Sequence, residues 1–132
     1  MAITLDRLAL RRGITTYVAI AIPCGLIIAL DGASGNQNES ALWVAAAVIV
    51  FAIGPIIAGA VAGSAQRAPF VHGALAVAVP AAVFLLVRSL IGVARGDLSG
   101  KDVVSFLLYL VIVVGLGMLG GYVGFRRRQR LI

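Results

Sequence analysis

Few side chains in this chain could take part in catalysis or metal binding. The sequence has one histidine, His72, and one cysteine, Cys24. A metal site needs several ligands of these types and a disulfide needs two cysteines, so neither is predicted. No aspartate or glutamate falls within an apolar run, whereas proton-coupled carriers use such an acid at depth. We therefore expect no enzyme activity, no cofactor and no metal.

Three of the remaining polar side chains could make hydrogen bonds between helices. His72 is the single weak functional candidate, with a structural role at the membrane interface as the alternative. Tyr109 and Tyr122 carry a hydroxyl on an apolar ring, which favours a packing role over a catalytic one.

The composition places the chain in the membrane. Hydrophobic residues make up 61% of the sequence, charged residues 12%, and the mean hydropathy is +1.08. These values are typical of integral membrane proteins and lie outside the range of soluble domains. The net charge of +6 comes from basic residues at the ends of apolar runs, so we predict the lipid bilayer as partner and no nucleic acid.

Four apolar runs predict an all-α integral membrane protein with one domain over residues 1–132. The runs of 17 to 23 residues lie within the range of transmembrane helices, and the 23 residues of 41–63 exceed about 30 Å of hydrocarbon at a rise of about 1.5 Å each. The predicted transmembrane helices, paired as two hairpins, are 14–30, 41–63, 70–90 and 103–125. Local signals support the helix starts: Ser40 as an N-cap, Pro69 in a first turn, and Ser99 with Asp102 as a capping pair.

The arginines predict the orientation. With both termini in the cytoplasm, eight of the eleven basic residues lie inside, where the positive-inside rule places them. These eight are Arg7, Arg11, Arg12, Arg67, Arg126, Arg127, Arg128 and Arg130. The localisation expected from this count is the cell (plasma) membrane, multi-pass, with contacts to anionic lipid headgroups at the arginines.

A glycine pattern occurs twice, at a fixed offset of 61 residues. The first copy is Gly54, Gly59 and Gly63 followed by Arg67, and the second is Gly115, Gly120 and Gly124 followed by Arg128. Glycines four apart share one helix face, and Gly117 with Gly121 adds another such pair. These glycines are the predicted helix-packing residues, either within one chain or between copies or subunits.

Prolines interrupt three of the predicted helices. Pro23, Pro55 and Pro80 lack the backbone N–H of a helix interior, so each is expected to bend or open its helix. Carbonyl groups freed in this way could line a transport path.

One stretch resembles a known group of proteins. The segment 57–75 has Ala58-Gly59, Ala62-Gly63, a short turn through Arg67, and then the His72-Gly73 step. It is similar to an uncharacterised family of small bacterial four-helix integral membrane proteins. The resemblance implies fold and location, and it implies no activity.

These observations lead to one expected function and one alternative. We expect a small non-enzymatic integral membrane protein that acts by helix–helix association, as an accessory subunit of a larger membrane complex or as a homo-oligomer. The alternative is a small channel or transporter component formed by oligomerisation.

Overall fold

The computed structural model describes residues 4–33, 41–64 and 67–132. Within this part of the chain all regular structure is helical. The helices are α1 (Arg7–Ala33), α2 (Ala41–Val48), a π-helical turn (Ile49–Ile53), α3 (Gly54–Gly63), α4 (Pro69–Arg95) and α5 (Gly100–Arg130). Helix α2, the π-turn and α3 follow one another without a break and form one helical stretch.

In the described part of the chain, four helical stretches are long and apolar enough to cross a membrane. They are Arg7–Ile27, Val44–Gly63, Pro69–Arg95 and Gly100–Arg130. The prediction of an all-helical protein with four candidate spans is therefore confirmed at this level. Helices α1 and α5 run beyond the predicted apolar spans and include the flanking arginines, because backbone hydrogen bonding continues where the apolar sequence stops.

The helix ends follow local capping chemistry. The capping box predicted from Ser99 and Asp102 is present, and Pro69 lies in the first turn of α4. The Asp6 carboxylate accepts hydrogen bonds from the backbone N–H of Leu8 at 2.9 Å, which caps α1. Gly96 follows α4 as its C-cap, and its φ of 73° is one that glycine adopts readily. Helix α5 begins soon afterwards, at Gly100. The expected cap Ser40 lies outside the described residues.

Pro55 is preceded by a local opening of the helix. The N–H of Gly54 donates to the carbonyl of Ile49, five residues back, so the chain forms a π-helical turn. The next hydrogen bond of a π-helix would run from the N–H of residue 55 to the carbonyl of Val50. Pro55 has no N–H, so this hydrogen bond cannot form. The opening predicted for Pro55 is present, near the middle of the stretch 41–63.

Helices α3 and α5 pack with their backbones in contact along a surface that we call the glycine seam: Gly59, Gly63, Gly117, Gly120, Gly121 and Gly124. A Cβ atom on Gly59 would overlap the carbonyl oxygen of Gly117, and one on Gly63 would lie 2.6 Å from the Cα of Gly121. Only residues without a side chain permit this approach.

The glycine seam has an internal twofold pattern. The offset of 61 residues relates Gly59 to Gly120 and Ile56 to Gly117. The offset therefore relates a contact of Gly59 with Gly117 to a contact of Gly120 with Ile56. The structure contains both: Gly59 meets Gly117, and Gly120 meets the carbonyl of Ile56. The contact of Gly63 with Gly121 is likewise matched by Gly124 against Ala60. The two helices thus meet as equivalent partners do in a symmetric dimer.

Helix α4 enters the same contact from the side. A Cβ on Gly73 would overlap the carbonyl oxygen of Gly117, and one on Gly121 would overlap that of Pro69. Helix α1 contacts α3 and α4 at Gly13. A Cβ atom on Gly13 would lie 2.7 Å from the Cβ atoms of Ala62 and Ala76. These contacts put the start of α1, the end of α3, the start of α4 and the last third of α5 at one end of the bundle, which we call the arginine-rich end.

The opposite end is more open. Among the described residues, no Cα atom of α2 lies within 8 Å of one in α4 or α5, and none of α1 lies within 8 Å of α5. Helix α2 packs on α1 alone, while α5 stays against α4. The bundle is therefore closed at the arginine-rich end and divides into two helix pairs toward the other.

Adding one methyl group to the glycine seam should destabilise the fold. Gly59→Ala and Gly120→Ala each place a Cβ on a backbone carbonyl, and we expect a loss of about 1–3 kcal/mol in unfolding free energy. Gly115→Ala is the matched control, because a Cβ there has no heavy atom within 4 Å. It should leave stability unchanged or raise it by up to ~1 kcal/mol through helix propensity.

Reversible unfolding in detergent micelles measures these differences. Equal stability of all three variants would contradict the backbone contact between α3 and α5.

Candidate functional site

His72 lies at the arginine-rich end and is fully buried. Its Nε2 accepts a hydrogen bond from the backbone N–H of Asp6 at 3.0 Å. Since a backbone N–H can only donate, Nε2 carries no proton, and Nδ1–H donates to the carbonyl oxygen of Ala68 at 3.0 Å. Both ring nitrogens are used, so the neutral imidazole connects the start of α1 to the start of α4.

A pair of tyrosines lies deeper in the bundle. The hydroxyl groups of Tyr17 in α1 and Tyr109 in α5 are 3.1 Å apart and form a hydrogen bond. Tyr17 is 3% exposed, and the ring of Phe51 meets that of Tyr109 edge-on with centroids 5.1 Å apart. Phe51 belongs to the π-turn, halfway along its helical stretch, so the pair lies near the middle of the candidate spans.

The tyrosine pair retains unused hydrogen-bonding capacity. Two hydroxyl groups carry two protons, and their mutual hydrogen bond uses one. The ring of Tyr17 would lie 3.5 Å from a Cβ on Gly54, next to the π-turn, where Pro55 supplies no N–H to the Val50 carbonyl. The spare hydroxyl proton therefore lies close to irregular backbone in an otherwise apolar region.

Above the tyrosine pair, away from the arginine-rich end, no described Cα atom of α1 lies within 8 Å of one in α5, and we call the region between these two helices the open cleft. Ala21 of α1 and Tyr109 of α5 pack against the buried cluster around Tyr17. One turn further on the same helix faces come Gly25 and the exposed Ser105. A Cβ on Gly25 would have no heavy atom within 4 Å. The open cleft thus has small residues on one wall and a polar edge on the other.

The residues predicted from sequence fall into four groups. The glycines of the seam contact backbone within the chain, and Gly54 lies against Tyr17 and Ile20. Gly115 has nothing within 4 Å of its Cβ position. The arginines flanking the spans are exposed at the arginine-rich end: Arg11, Arg12, Arg67, Arg126, Arg127, Arg128 and Arg130. Tyr122 stacks on Phe70 with ring centroids 5.3 Å apart.

Sequence reasoning missed three residues that hold the site together: Tyr17, Gly13 and Gly73. Gly13 and Tyr17 are four apart and both buried, so they share the inward face of α1. A small residue followed by a polar aromatic at this spacing, within an apolar run, was an available signal. Gly73 is placed between the glycines of α5 and follows His72 directly.

Comparison of the chain with known protein families, with curated proteins and with solved structures finds no match. The structure is that of a small helical protein, and the interpretation of its function depends on the contacts described above.

The tyrosine pair can be tested by a double-mutant cycle. Tyr17→Phe and Tyr109→Phe each remove one hydroxyl, and the double variant removes both without changing the ring volumes. We expect a coupling energy of about 0.6 kcal/mol, with ~1.7 kcal/mol as the upper range for hydrogen bonds in membrane bundles. Additive effects on unfolding free energy would show that the hydroxyl groups do not interact.

The His72 connection can be tested by amide hydrogen exchange. His72→Leu removes the acceptor of the Asp6 N–H, and loss of about 1 kcal/mol should speed exchange at that amide roughly fivefold. His72→Gln, which keeps an acceptor oxygen, is the matched control and should retain part of the protection. An unchanged exchange rate in His72→Leu would contradict the contact.

Proposed function

We propose that this chain is a non-enzymatic integral membrane subunit that acts by helix–helix association and receives a transmembrane helix in the open cleft. The observation that carries the proposal is the contrast between the two ends of the bundle. The glycine seam is used within the chain, whereas Gly25 and Ser105 border space that no described residue fills.

The walls of the open cleft have the chemistry that a transmembrane helix requires of a partner. Helices in lipid associate by close packing at small residues and by interhelical hydrogen bonds, because lipid chains are as apolar as the helices. Ala21 and Gly25 are four apart and give a small-residue face. Ser105 and the spare proton of the tyrosine pair supply the hydrogen-bonding groups.

The incoming helix belongs to another membrane protein, which makes this chain an accessory subunit, or to a second copy, which makes it a homo-oligomer. We further propose that the chain lies in a bacterial cell membrane with both ends in the cytoplasm. The count of arginines at one end supports this orientation. The resemblance of segment 57–75 to small bacterial four-helix membrane proteins supports the location.

The second candidate function is a channel or transporter component. It is favoured by the π-turn, because the carbonyl of Val50 and the hydroxyl groups of Tyr17 and Tyr109 are polar groups at mid-depth. Irregular backbone at that depth occurs where it lines a cavity or a path. Oligomerisation around this region would be needed to complete such a path.

Filling the open cleft tests the proposed function. Gly25→Leu should abolish the association, because the side chain occupies the small-residue face, while the isolated chain keeps its fold. Gly115→Leu is the matched control: it also has no heavy atom within 4 Å of its Cβ position, but it lies on α5 away from the tyrosine pair. The mass of the complex after gentle extraction, with its polypeptides identified, is the measurement.

The composition of that complex separates the alternatives. A second polypeptide that is lost only in Gly25→Leu supports the accessory subunit, and a homo-oligomer lost in the same variant supports self-association. Complexes that survive in Gly25→Leu contradict association through the open cleft. Ion or solute flux through liposomes that hold the pure homo-oligomer would favour the channel.

A further inference from the structure

A groove between the end of α4 and the start of α5 carries four charged side chains, of which only Asp102 has a described hydrogen bond. Its volume is about 630 Å³, and it lies at the end of the bundle opposite to His72. The apolar part of its lining comes from Phe84, Val87, Ile91, Leu98 and Phe106. Its four charged residues are Arg88, Arg95, Asp97 and Asp102. We call it the α4–α5 groove.

Neither guanidinium group forms a salt bridge with a described residue, although Arg88 attracts the carboxylate of Asp102 electrostatically. Arg88 is held over the ring of Phe106, with its Cζ 5.4 Å from the ring centroid, and this contact fixes its position. Among the described residues neither Arg88 nor Arg95 has a carboxylate oxygen within 4 Å or a hydrogen bond. Each guanidinium has five N–H donors, so an oxyanion with several acceptors matches the unused capacity.

The two carboxylates complete the pattern. Oδ2 of Asp102 accepts the N–H and the hydroxyl of Ser99, at 2.9 and 2.7 Å. The other oxygen of Asp102 has no described hydrogen bond, and neither has the carboxylate of Asp97. The α4–α5 groove therefore offers two cationic and two anionic groups, with an apolar wall running from them along α4.

The position fits the headgroup region of a membrane. Arg88 lies seven residues before the end of α4, about 10 Å along the helix axis, where a long side chain reaches the interface. Exposed apolar side chains, Val83 and Leu86 among them, continue down α4 toward the hydrocarbon. A ligand here meets charge at one end and an apolar surface at the other.

From this complementarity we infer that the α4–α5 groove binds a zwitterionic phospholipid. The phosphate lies between the guanidinium groups of Arg88 and Arg95. The headgroup ammonium faces the carboxylates of Asp97 and Asp102, and an acyl chain follows the apolar wall along Val87 and Phe84. A second groove, at the arginine-rich end, is lined by Arg126, Arg127 and Arg130 and by no acidic residue. The α4–α5 groove is therefore separate from the anionic-lipid contacts expected at that end.

The test is lipid retention by the full chain in native mass spectrometry. The protein in detergent is offered phosphatidylethanolamine or phosphatidylglycerol with identical acyl chains. The wild-type chain should retain one phosphatidylethanolamine in preference to phosphatidylglycerol. Arg88→Gln should weaken that retention by about tenfold, the effect of losing one charge-assisted contact of ~1.4 kcal/mol. Arg130→Gln is the matched control at the other end and should leave it unchanged.

A second variant keeps the inference testable if Arg88→Gln perturbs the fold. Asp97 is exposed, so Asp97→Asn should fold normally. It removes a partner of the ammonium and leaves the arginines in place, and the preference should therefore shift toward phosphatidylglycerol. A wild-type preference for phosphatidylglycerol, equal effects of Arg88→Gln and Arg130→Gln, or an unchanged preference in Asp97→Asn would each overturn the assignment.

Discussion

The structure depends on one constraint, the direct approach of two helix backbones at the glycine seam. In lipid, apolar side chains gain little from leaving their surroundings, so helices associate through packing contacts and hydrogen bonds. Gly59 and Gly117 allow the backbones of α3 and α5 to touch, and Gly73 brings α4 to the same point. The contact of His72 with the Asp6 N–H lies at the same end of the bundle, one residue before Gly73.

The close approach of the backbones is confined to one end of the bundle, so the two ends differ in packing. The glycines of the seam lie in the half of α3 and α5 nearest the arginines, and that half is closed. Toward the other end no described Cα atom of α2 lies within 8 Å of α5, and the tyrosine pair connects α1 to α5 through its hydroxyl groups. Closed packing at one end fixes the fold, and the open cleft at the other end provides the surface on which the proposed association depends.

The sequence predicts the elements better than their contacts. The lengths of the apolar runs, compared with the thickness of a bilayer, predict four spans. The spacing of Ser99 and Asp102 predicts the start of α5, and both features are local properties of the sequence. Glycine spacing identifies a helix face but does not say which helix it meets, so the insertion of Gly73 was not foreseen. The partner of Tyr17 is 92 residues away along the chain, and the spacing of Gly13 and Tyr17 indicates a buried face of α1 without indicating that partner. The open cleft was equally hidden, since apolar composition is similar in the closed and open halves.

Solid-state NMR of the full chain in lipid bilayers, with only its glycines labelled with ¹³C, tests the central claim most directly. The structure predicts through-space correlations between Gly59 and Gly117 and between Gly63 and Gly121, residues far apart in sequence. It also predicts that Gly25 and Gly115 give no such long-range correlation. A spectrum that contains only correlations between glycines near in sequence would contradict the glycine seam, and with it the closed and open halves on which this account depends.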